Sequence, residues 1–169
     1  MENKFVDYDF NLSTDGAGIV LYSENAITCD EGEDFFSKEF STPSKVAEHL
    51  AKGDIIGFNT GSSGDFVVKI RYGYPSEKML AEYPIAIRLA IEIKGGKVNI
   101  IDVLWLSEWS TIVPEEQSIL IEDGFYHVTV MTKKPDFGIW GDNQVIYMFF
   151  KDIDKMPTLA WEGIPYLFK

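Results

Sequence analysis

The sequence predicts a mainly β protein, an antiparallel β-sandwich with one short helix at about residues 43–51. Three observations lead there. In most segments apolar side chains recur at every second position, the period of a strand with one buried face. Glycines punctuate these segments, as in "GFNTGSSGDF" (57–66) and "KGGK" (94–97). A single stretch, "STPSKVAEHLAKGD" (41–54), follows a helical period instead. The chain has 169 residues, 46% of them apolar, so one domain with a large core is expected over 1–169.

The elements follow in chain order. "KFVDYDF" (4–10) alternates raggedly, and "AGIVLYS" (17–23) is a short apolar run. The helix has Ser41 or Thr42 as N-cap, Pro43 in its first turn and Gly53 as its stop. Val46, Ala47 and Leu50 form its apolar stripe. In "DFVVKIRY" (65–72), Phe66, Val68, Ile70 and Tyr72 share one strand face. "PIAIRLAIEIK" (84–94) places Ile85, Ile87, Leu89, Ile91 and Ile93 on one face. Gly95–Gly96 suits a two-residue type I′ turn, so "KVNIIDVLWL" (97–106) is expected to return along the preceding strand as a hairpin. "FYHVTVMT" (125–132) and "NQVIYMFFKD" (143–152) complete the set. The last is apolar on both faces and is expected mid-sheet or under a loop. Residues 24–40, 73–83, 107–116 and 133–142 read as loops.

The glycine-rich stretch invites a phosphate-binding reading, which its spacing excludes. A P-loop needs Gly-Lys-Ser/Thr four residues after its first Gly, and Lys69 comes too late. A dinucleotide fingerprint needs a second glycine where Asn59 stands. A strand, not a helix, follows, so no helix N-terminus is available to an anion. Residues 59–65 are therefore read as a hairpin loop.

Asp102 resists the simple alternation. In the expected hairpin it joins the apolar face of Ile91, Ile100 and Leu104, where a lone carboxylate is costly. Either a β-bulge near Ile101 turns it outward, or it pairs with Arg88 or Arg71, the two arginines of the chain.

Chemistry-bearing residues are sparse. His49 lies beside the helix stripe and His127 alternates with Phe125 and Thr129, so both read as structural or surface residues rather than catalysts. Cys29 is followed by Asp30 and Glu31, whose charge raises a thiol's pKa and disfavours a nucleophile. Neither C-x-x-C nor H-E-x-x-H is present. "CDEGEDFF" (29–36) lacks the EF-hand order, since Phe35 occupies the obligatory glycine position. No catalytic residue, metal or cofactor is expected. Paired carboxylates such as Glu115/Glu116 and Asp152/Asp154 leave a site assembled from distant residues open.

Charge is the compositional extreme. The formal net charge is −12, from 27 acids against 15 lysines and arginines. Residues 1–54 hold 12 acids and 4 lysines, and so most of the excess. Such a surface repels nucleic acid and anionic membranes and attracts cationic partners. With no apolar leader in the first twenty residues, no membrane-length apolar run and a single cysteine, a cytoplasmic protein is expected.

Partner-binding residues are expected in the acidic segment, Asp30, Glu31, Glu33 and Asp34, with Trp109 and Trp140 as loop anchors. The alternative for each tryptophan is that it folds back over an end of the sandwich. Trp105, continuing a strand, is expected in the core.

The layout of residues 13–72 carries a resemblance. "STDGAGIVLYS", the acidic "DEGEDFF", a capped helix and "KGDIIGFNTGSSGDFVVKIRY" follow one another, with "ILIEDGFYHVTVMT" and "VIYMFFKDID" later. This pattern resembles the domains of bacterial polymorphic-toxin immunity proteins. It is also similar to the competence protein J family of nuclease inhibitors. The resemblance implies a small acidic β-sandwich that binds and silences a toxin, often a basic nuclease, and it transfers no site residues. Two classes follow: a non-enzymatic immunity or inhibitor protein acting by occlusion, or a small-ligand-binding or hydrolytic sandwich enzyme. An acidic face with an exposed tryptophan favours the first, and a deep pocket joining acids to His127 favours the second.

Overall fold

Alternation produces two sheets. The computed structural model describes residues 7–168, and the start of the expected first strand, 4–6, lies outside them. The strands are β1 (Tyr8–Thr14), β2 (Gly18–Ser23), β3 (Ile55–Asn59), β4 (Gly64–Tyr72), β5 (Ile85–Ile93), β6 (Lys97–Asp102), β7 (Ser118–Leu120), β8 (Gly124–Thr132) and β9 (Asp142–Ile153). One sheet has the order β1-β4-β9-β8-β5 and the other β3-β2-β6-β7. Among these strands the pairings are antiparallel except β4 with β9. The expectation of a mainly β, two-sheet protein is met.

The core lies between the sheets. From the five-stranded sheet it takes Leu12, Phe66, Val68, Ile70, Leu89, Ile91, Val128, Ile146, Met148 and Phe150. The four-stranded sheet contributes Ile19, Leu21, Ile56, Val98 and Ile100. β9 is the middle strand of its sheet, as its two-sided apolarity required. On its outer face Phe149 packs with Met131 and Tyr83 in a second cluster. Every residue of β2 is buried. Its outer face is covered by an added layer, in which Trp109 packs on Tyr22 and Phe35 on Trp109.

The helix forms where its caps place it. α1 (Pro43–Lys52) begins after Thr42, whose side chain accepts the Lys45 N–H, and ends at Gly53 with φ +71°. It packs against β3 and β5, closing that side of the sandwich. The segment after β9 runs back beside it. Met156 lies against Gly53, Gly163 against Pro43, and Asn59 exchanges backbone hydrogen bonds with Pro165 and Leu167. A second helix, α2 (Glu77–Glu82), capped by Ser76, occupies the expected loop 73–83. The expected loop 24–40 ends in a five-residue π-type turn, Phe36–Phe40.

Both expected hairpins are corrected. β5 pairs with β8 and β6 with β2 and β7, so Gly95–Gly96 carries the chain between sheets rather than back along one. Both glycines have positive φ, +97° and +74°, which a crossover demands as readily as a type I′ turn. Residues 59–65 likewise link β3 to β4 across the sandwich. There Gly64, at φ +151°, lies so close to Gly141 that a Cβ would stand 2.2 Å from the Gly141 carbonyl oxygen. The glycines serve close backbone approach, and Phe168 lies over Gly61.

Asp102 follows neither expected reading. It is 3% exposed, without a bulge or an arginine partner. Its carboxylate accepts the N–H groups of Asp15 at 2.7 Å, Gly16 at 3.2 Å and Leu104 at 3.2 Å. The strand expected to reach residue 106 therefore stops at Asp102, which caps a 3₁₀ helix over Val103–Ser107.

Candidate functional site

That 3₁₀ helix reverses the expected roles of two tryptophans. Turning the chain at Asp102 takes Trp105 out of the strand register and leaves it 41% exposed, beside Leu104 at 48%. Trp109, expected as an exposed anchor, is 5% exposed. Its rings pack between Tyr22, 5.1 Å away, and Phe35, 5.4 Å away. The physical reason is that β2 presents a second apolar face, which needs a cover.

Trp109 also seats the acidic segment. The Gly32 N–H donates to the Trp109 carbonyl and the Trp109 N–H to the Glu33 carbonyl, both at 2.8 Å. Three of the four acids are then engaged locally. Glu31 accepts both the N–H and the hydroxyl of Thr111 at 2.6 Å. Glu33 pairs with Lys38 at 2.7 Å. Asp34 caps Ser37, accepting its hydroxyl at 2.6 Å and its N–H at 3.0 Å. These bonds hold all three carboxyls below their ordinary range, Glu31 through Thr111, Glu33 through Lys38 and Asp34 through Ser37. Asp30 is exposed at the start of the segment. Beside it, burial and then Glu33 push the Cys29 thiol up.

Between the 3₁₀ helix, the acidic segment and residues 108–113 lies a cleft of about 470 Å³. Its apolar lining includes Leu104, Trp105 and Ile112, the last 81% exposed. Glu31 and Glu108 line it too, and Trp109 and Tyr22 form its floor. Burial pushes the Tyr22 hydroxyl up to about 12. The structure thus brings Glu31 and Trp109 together, with Trp109 underneath rather than exposed. Trp140 is half-buried on the loop from β8 to β9, next to Phe137 and Ile139, which are 89% and 60% exposed. That loop contributes no residue to the cleft.

Sequence reasoning missed Trp105, Leu104 and Ile112. The available signal was Asp102 itself: an acid on an apolar face, followed by a turn's worth of apolar residues, is an N-cap pattern.

Both histidines are held structurally. His49 is buried between the rings of Phe35 and Phe40, with Nδ1 2.8 Å from Asp54. His127 lies on the outer face of the five-stranded sheet, Nδ1 2.7 Å from the Tyr74 hydroxyl, and burial followed by Arg88 lowers its pKa. Among the described residues no three His, Cys, Asp or Glu side chains lie close enough to share a metal ion. Among the described residues no helix is long and apolar enough to cross a membrane.

No family model matches the chain, and no curated protein matches it. Two solved structures are similar. One is ComJ from Bacillus subtilis, an inhibitor of the DNA-degrading activity of NucA. It is 10% identical, with 86% of this chain and 95% of that one covered and a TM-score of 0.49. The other is the product of crocagin biosynthetic gene J, 9% identical, with 85% and 96% covered and a TM-score of 0.52. At 9% identity the second is a likeness of fold.

Proposed function

We propose that this protein is a non-enzymatic inhibitor that silences a basic protein, such as a nuclease toxin, by covering its active surface. The observation that carries the reading is the cleft of Leu104, Trp105 and Ile112, an exposed aromatic anchor flanked by Glu31 and Glu108 on a chain of net charge −12. Exposed apolar clusters with a tryptophan at the centre supply affinity, and surrounding charge supplies steering and partner choice. In this reading Asp30, Glu31, Glu33 and Asp34 form the acidic flank and Trp105 the anchor. Trp109 positions the flank from below, and Trp140 with Phe137 and Ile139 offers a separate contact. An interface of roughly 1,600 Å² is enough for occlusion.

The test is to co-express the chain with the nuclease or toxin domains encoded beside its gene and to measure their remaining activity. A basic domain should be inhibited. Changing the four acids to Asn and Gln should slow association and flatten its salt dependence, since exposed charges are screened beyond about 8 Å at physiological ionic strength. Trp105→Ala should speed dissociation, costing roughly 2 kcal/mol or more of binding free energy. If no such domain loses activity, or if both variants inhibit like the wild type, the reading fails.

A further inference from the structure

Among the described residues, the sandwich is closed on one side and open on the other. α1 and the segment after β9 cover the β3/β5 side. On the opposite side the edge strands β1 and β7 face each other across a cleft of about 850 Å³. The Tyr8 hydroxyl bridges the gap to the Glu116 carbonyl at 2.9 Å. An uncovered sheet edge is a template for another strand, and proteins usually blunt it.

Three features describe what this seam accepts. The first is the β7 backbone. The Ile121 N–H donates to the Gly96 carbonyl, and the β6–β7 register pairs Val98 with Ile119. By antiparallel alternation Leu120 turns its N–H and C=O away from β6, towards the open edge. The second is apolar surface: Leu120 is 77% exposed, with Val113 beside it. The third is charge. Asp7, Glu24 and Glu115 line the seam with one basic lining residue, Lys97, and Asp7 also meets Arg71 at 3.7 Å. Val113 also lines the Trp105 cleft, so the two adjoin.

We infer that the seam takes an extended, lysine- or arginine-bearing segment of the partner, laid along β7 as an added strand. The main chain of that segment pairs with Leu120, its cationic heads reach Asp7, Glu24 and Glu115, and its aliphatic stems cover Leu120 and Val113. This rests on the inhibitor reading and adds the shape of what is bound: a strand as well as a surface.

A blocked peptide of alternating lysine and valine tests it, with an N-methylated peptide of the same sequence as control. Bound to the full chain, the first should shift the Ser118 and Leu120 amide resonances and slow hydrogen exchange at Leu120 about tenfold. N-methylation, which removes main-chain donors, and the double variant Glu24→Gln/Glu115→Gln should each weaken binding about tenfold. Resonance shifts confined to Leu104, Trp105 and Ile112 would overturn the seam while leaving the inhibitor reading intact. Protection of Leu120 that grows with protein concentration and needs no peptide would overturn it in favour of a second copy. Conversely, partner inhibition untouched by Trp105→Ala, with the peptide still at Leu120, would separate failure of the anchor from failure of the seam.

Discussion

The Asp102 carboxylate accepts the backbone N–H of Asp15 at 2.7 Å across 87 residues of sequence. This one bond ties the turn between β1 and β2 to the 3₁₀ helix that presents Trp105. The same carboxylate takes the N–H groups of Gly16 and Leu104, so a single buried acid satisfies three donors.

Asp102→Ala should therefore destabilise the fold by about 3 kcal/mol, because it orphans three donors around a buried acceptor site. Asp102→Asn keeps one acceptor oxygen and should cost about half as much. Urea denaturation at neutral pH reads both. An alanine variant as stable as the wild type would mean that water replaces the carboxylate.

Trp109 and Trp105 should respond oppositely to truncation. Trp109→Ala removes a buried indole from between Tyr22 and Phe35 and should cost roughly 3–5 kcal/mol of stability. Trp105→Ala, at 41% exposure, should change stability by less than about 1 kcal/mol. Thermal unfolding of the two variants side by side decides the assignment.

Gly64→Ala should destabilise by about 2–3 kcal/mol, since alanine is strained at φ +151° and its Cβ would meet Gly141. Gly73→Ala is the control, with positive φ (+98°) but open space at its Cβ position, and should cost less. Equal losses would show that backbone strain alone, and not contact with Gly141, fixes Gly64.

The acidic segment should loosen in acid. The Glu31, Glu33 and Asp34 carboxyls titrate below their ordinary values when docked, so the folded segment resists protonation. Its docking is then fully stable above about pH 4.5, the ordinary Glu value, and weakens as pH falls through the lowered values. Hydrogen-exchange protection at the Gly32 and Trp109 N–H groups, corrected for intrinsic rates, should hold from neutrality to that point and then fall. In Glu31→Gln the loss should be smaller across the same range. A rise in protection on acidification would reverse the sign and refute the argument.

Local signals carried far in this chain, and long-range ones did not. α1 was legible because its caps and stripe lie within about a dozen residues, and the strands because alternation is a local pattern. What a strand pairs with is not local. Gly95–Gly96 has the chemistry of a hairpin, yet it feeds two sheets, because positive φ permits a crossover as well as a reversal. The cleft suffered the same way. Whether Trp105 or Trp109 is buried depends on where the strand stops, and the strand stops because Asp102 finds Asp15 and Gly16 far back in the sequence.

β9 sits between β4 and β8, although it follows the other eight described strands in the sequence. Until Ile153 has emerged from the ribosome, the five-stranded sheet can exist only as two separate ribbons, β1 with β4 and β5 with β8, each with an inner edge uncovered. The apolar run from Val145 to Phe150 then closes both ribbons at once, joining β4 in parallel and β8 in antiparallel. Completion of the sheet is a late, long-range event, so nascent chains stalled short of β9 are the species most exposed to aggregation.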